Sequence, residues 1–154
     1  MLEALIGELL DLLDSLPMLF GLIVILLVCG YALIRGGPDE RLTGAVLLIA
    51  YLAAPFLQNR VDWQAPQYGL MVSDVLLAGY FVWLALRSDR YWPVWAAGFQ
   101  LLTLFAWLAF LFEPGVRALM IVFNLIGYLI LGALLVGVNG WRTRLNAASA
   151  PGGH

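Results

Sequence analysis

The chain has 154 residues, 63% of them apolar and 12% charged, against about 45–50% and about 25% in soluble domains. One domain is all this length makes, and a soluble domain so small exposes too much of its area to hide that much apolar surface; lipid is therefore the solvent. The net charge is −2, all eight basic residues are Arg, and no basic run could follow a nucleic-acid backbone, which excludes a nucleic-acid partner.

Residues 1–16, MLEALIGELLDLLDSL, lack the positive start and cleavage pattern of a signal peptide. At helical spacing Leu2, Leu5, Ile6, Leu9, Leu12, Leu13 and Leu16 fall on one side, and Glu3, Glu8, Asp11, Asp14 and Ser15 on the other. This predicts an amphipathic interfacial helix with an acidic face. Helices facing anionic lipid carry Lys or Arg there, so Glu3, Glu8, Asp11 and Asp14 are expected to dock a basic partner or simply to stay solvated. Pro17 is expected to break the chain before the first membrane span.

Five apolar stretches follow, near 18–34, 42–58, 69–86, 92–112 and 117–138, of roughly the 17–25 residues that cross a bilayer. The expected fold is an all-α integral membrane protein. An amphipathic helix (1–16) precedes a transmembrane bundle (17–140), and a tail (141–154) ends in Ala, Ser, Pro and Gly and reads as disordered. Glu113-Pro114-Gly115 is a turn signal between spans four and five, which makes those spans antiparallel neighbours.

Arg35, Arg41, Arg87, Arg90, Arg142 and Arg144 share one side of this layout, and only Arg60 and Arg117 take the other. The positive-inside rule then puts the N-terminus outside and the C-terminus in the cytoplasm. Trp83, Tyr91, Trp92, Trp95 and Trp141 form the inner aromatic boundary, with Trp63 and Tyr68 at the outer one. Arg-only usage is read as the codon bias of a GC-rich genome, which favours a bacterial inner membrane. The first and third loops, ALIRGGPDER and LALRSDR, resemble each other weakly. That fits a duplicated hairpin, and equally a shared demand for Arg and Asp at the inner face.

Polar side chains inside a bilayer each need an account. Asp74 is the one ionisable residue within a span, roughly 7–8 Å in from the outer end at the helical rise. It is either a proton or cation site or a shallow acid that reaches headgroup water, Arg60 or Arg117. Gln100, Thr103 and Trp107 share one face of span four, as Asn124 and Tyr128 do of span five and Tyr51 and Gln58 of span two. Interhelical hydrogen bonding explains them. The functional alternative is a polar crevice built from Asp74, Asn124, Gln58, Gln100, Thr103 and Tyr128.

Small-residue pairs, Ala50 with Ala54 and Ala133 with Gly137, permit close helix contact. The single cysteine, Cys29, reads as an apolar filler. Asp39-Glu40 reads as a solvated loop.

No Ser–His or Cys–His pair, metal-ligand cluster, phosphate loop or dinucleotide fingerprint occurs. The expectation is a non-enzyme with no cofactor and no metal, partnered by membrane lipids and by other integral membrane subunits or copies of itself. Negligible extramembrane mass and the acidic helix favour an accessory or assembly subunit of a larger inner-membrane complex. The alternatives are a small transporter or channel using Asp74 and, at low weight, a lipid-active enzyme.

Overall fold

The computed structural model describes the backbone of residues 2–58, 67–112 and 117–149, and side chains over 19–58, 67–112 and 121–149. All regular structure among them is helical: α1 (Leu2–Arg35), α2 (Pro38–Leu57), α3 (Tyr68–Arg87), α4 (Trp92–Phe112) and α5 (Arg117–Ala148). α2, α3, α4 and the Ile121–Ala148 part of α5 are each long and apolar enough to cross a membrane, and the described part of α1 adds a further apolar stretch, Leu19–Arg35.

Three expectations about helix bounds and the loops are corrected. α1 is one helix of 34 residues that runs through Pro17 without the expected break. A proline forfeits one helical bond, and apolar helices that pack on neighbours tolerate the loss. At the other end α5 continues to Ala148, so residues 141–148 are helical rather than disordered. The last turns are tied down by Arg142, which donates to the Tyr31 hydroxyl at 2.9 Å, and by Trp141, whose ring lies 4.7 Å from the Arg90 guanidinium. The third correction, at Glu40, belongs to the inner end of the bundle and is taken up below.

α2 starts where its sequence provides a start. Gly37 caps it in an extended conformation, Pro38 takes a first-turn position, and Asp39 and Glu40 put negative charge at the positive end of the helix dipole. Gly36 has to be a glycine, because a Cβ there would stand 2.4 Å from the Ala32 carbonyl. The loop between α1 and α2 can therefore be short, and it leaves Gly44 against Cys29 and Ala32, a small-residue contact that seats α2 on α1. Cys29 is fully buried there, as a filler should be.

The helices alternate in direction. α4 and α5 are antiparallel neighbours, since Trp107 late in α4 stacks on Phe123 early in α5 at 4.6 Å while Trp92 early in α4 lies on Gly137. The Glu113-Pro114-Gly115 turn lies outside the described residues. α1 and α5 run parallel, with Phe20 beside Tyr128 and Tyr31 donating to Asn139 at 3.2 Å. The core follows the middle and one end of this bundle, around Cys29, Ala32, Phe81, Leu84, Ile126, Leu134 and Val138. Large apolar side chains such as Phe56, Leu86, Phe105 and Phe112 point outward, as lipid-facing residues do.

Candidate functional site: a carboxylate-bearing cavity

Among the described residues the core does not fill the other half of the bundle. A cavity of about 820 Å³ lies between all five helices, lined from α1 by Gly21 and Ile25, from α2 by Leu47, Ala50, Tyr51 and Ala54, and by Gln58 just after α2. Asp74 and Ser73 of α3, Gln100, Thr103 and Trp107 of α4, and Asn124 and Tyr128 of α5 complete its polar wall. The six residues that the sequence nominates for a crevice, Asp74, Asn124, Gln58, Gln100, Thr103 and Tyr128, are all brought to this one wall.

Asp74 is held from α4. The Trp107 indole N–H donates to Oδ2 at 2.6 Å, and the Gln100 amide donates to Oδ1 at 3.0 Å and to the Asp74 backbone carbonyl at 3.3 Å. Gln100, Thr103 and Trp107 are themselves buried, so the face read from their i, i+3, i+7 spacing grips α3. Arg60 and the Arg117 side chain lie outside the described residues; among the described residues the partners of Asp74 are neutral N–H donors. These two donors fix the carboxylate in position.

Local sequence shapes the rest of the wall. The Tyr128 and Tyr51 hydroxyls come close to α1 at Gly21, 3.5 and 3.9 Å from where a Cβ would stand, which are ordinary contact distances. Ala50 and Ala54, singled out for helix contact, line the cavity instead, so their small size creates volume. Pro55 lies inside α2 and deprives the Tyr51 carbonyl of its helical donor in the turn beside the cavity. Gln67, just before α3, is buried in the same wall.

The opposite end carries a cluster that sequence reasoning misses. Glu40, expected to be a solvated loop residue, is 0% exposed. It is ion-paired through Oε1 with Arg90 and accepts from the Trp92 indole at 2.9 Å. Its Oε2 is buried and without a hydrogen-bond partner among the described residues. Next to it Ser88 donates to Asp39 Oδ2 at 3.1 Å, and Thr43 shares a 2.8 Å hydrogen bond with the Tyr80 hydroxyl.

Trp92, expected at the lipid boundary, is only 4% exposed, whereas Trp83, Tyr91 and Trp95 are exposed as boundary residues should be. The two resembling loops thus meet in space, acid of one against Arg and Ser of the other. That complementarity was the available signal: each loop carries a charge the other can neutralise. Glu3, Glu8, Asp11 and Asp14, the residues expected to dock a partner or stay solvated, lie in the helical part of α1 whose side chains are outside those described. Comparison with family models, with curated proteins and with solved structures gave no match.

Proposed function

We propose that this protein is a small multi-pass membrane transporter or channel in which Asp74 is the proton or cation site. The carrying observation is the cavity itself: the bundle sets a costly carboxylate, held in place from α4, beside a cavity lined by further polar side chains. Toward the arginine-rich end the cavity is bounded by the core and the Glu40–Arg90 pair, which sets Asp74 in the half of the bundle away from those arginines.

The test is charge movement. Full-length protein reconstituted in liposomes on a solid-supported membrane is expected to give a transient current on a pH or cation jump, and Asp74→Asn to reduce it to the level of protein-free liposomes. Asn keeps the shape and can still accept from Trp107 or Gln100, so folding should persist. A current of wild-type size in the Asn variant would remove Asp74 from the mechanism.

A second reading, an accessory subunit of an inner-membrane complex, is favoured by one observation. α1 has 34 residues, about 51 Å at the helical rise, which exceeds the ~30 Å hydrocarbon core. Its acidic start is then available to a basic partner outside the membrane. We place the N-terminus outside and the C-terminus in the cytoplasm of a bacterial inner membrane on the arginine distribution. In a Cys29→Ser background, a cysteine at Ser15 should label in intact cells and one at Ser149 only after permeabilisation. The reverse pattern would refute both the orientation and external docking by α1.

A further inference from the structure

The dimensions and charge of the cavity narrow what it holds, on the reading that Asp74 serves transport. A volume of about 820 Å³ falls within the roughly 300–1,000 Å³ of sites that enclose whole organic ligands. It far exceeds the space of a proton or a dehydrated metal ion. Asp74 is the one ionisable carboxylate on the described wall, and no Arg, Lys or His lines it. Tyr51, Trp107, Phe123 and Tyr128 supply aromatic surface beside it.

We propose that the cavity binds an organic cation with an apolar body, an amine or onium compound, its charge set against Asp74 and its body among these four rings. Each carboxylate oxygen can accept or face a further positive group beyond its present donor. The aromatic rings add cation–π attraction, which grows as the ligand is desolvated. An anion of the same shape meets the negative charge of Asp74 and is disfavoured, so selectivity rests on sign more than on shape.

The experiment is equilibrium dialysis of the purified full-length protein in nonionic detergent against tetraphenylphosphonium, with tetraphenylborate as the anion of matching shape. Saturable binding of the cation, at least tenfold weaker in Asp74→Asn and without a saturable counterpart for the anion, is the expected result. Ala54→Phe narrows the cavity while leaving the carboxylate and its two donors in place. It should also weaken binding at least tenfold, and it decides the matter if the Asn variant fails to fold. Absence of saturable cation binding to the wild type, equal binding of both ions, or indifference to both variants overturns the inference. Asp74-dependent cation binding in a protein that gives no transient current supports the ligand class and removes transport. An Asp74-dependent current in a protein that does not bind the organic cation overturns the ligand class and leaves transport standing.

Discussion

Glu40→Ala should cost about 3–5 kcal/mol of stability, the range seen when one member of a buried ion pair is removed, measured by thermal or SDS-induced unfolding in detergent. The Glu40 side chain is fully buried and the Arg90 side chain is 14% exposed. Truncation therefore leaves a guanidinium largely desolvated without its counter-charge, and strands the Trp92 indole N–H, which has Glu40 as its acceptor. Three parts of the fold converge on this carboxylate: the start of α2, the loop before α4, and α5 through Trp141 under Arg90. Arg90→Ala should cost a similar amount, because it leaves the acid unpaired. The double variant should fall short of the sum by at least about 1 kcal/mol, since each single change already abolishes the shared interaction. Glu40→Gln keeps an acceptor for Trp92 and should be milder than Ala. An Ala variant within about 0.5 kcal/mol of wild type, the size of an ordinary surface change, would show that the pair contributes nothing.

That cluster also marks where reading the sequence stops. Hydropathy and helical spacing locate α2, α3, α4 and the start of α5 closely, because lipid imposes one rule on every residue of a span: it is apolar or it needs a reason. The same rule singles out Asp74, and the i, i+3, i+7 spacing of Gln100, Thr103 and Trp107 predicts the face that grips it. Glu40 sits where local pattern carries no such rule. An acid after Gly-Gly-Pro looks solvated, and its burial is decided by Arg90, 50 positions on, and by Trp141, 101 positions on. Trp92 misleads for a related reason, since tryptophan suits both a lipid boundary and a buried hydrogen bond. Pro17 and the end of α5 are misread because propensity marks where a helix is weak, while packing decides whether it continues.

Gly137→Ala carries the packing argument to a change of sign. A Cβ at Gly137 would stand 2.6 Å from Trp92 Cδ1 and 2.7 Å from its Nε1, closer than non-bonded atoms approach. The ring is buried and its N–H is committed to Glu40, so it cannot move aside freely. Overpacking of this kind costs about 1–3 kcal/mol, here increased by whatever the Trp92–Glu40 hydrogen bond loses. Trp92→Leu removes the indole that blocks the site and is itself destabilising, through lost ring contacts and the stranded Glu40 acceptor. In that background Gly137→Ala should become neutral or stabilising, because Ala is favoured over Gly inside a helix by up to about 1 kcal/mol. A double-mutant cycle read by unfolding in detergent tests this directly. If Gly137→Ala is equally destabilising with Trp92 and with Leu at that position, the α4–α5 contact is not what requires the glycine.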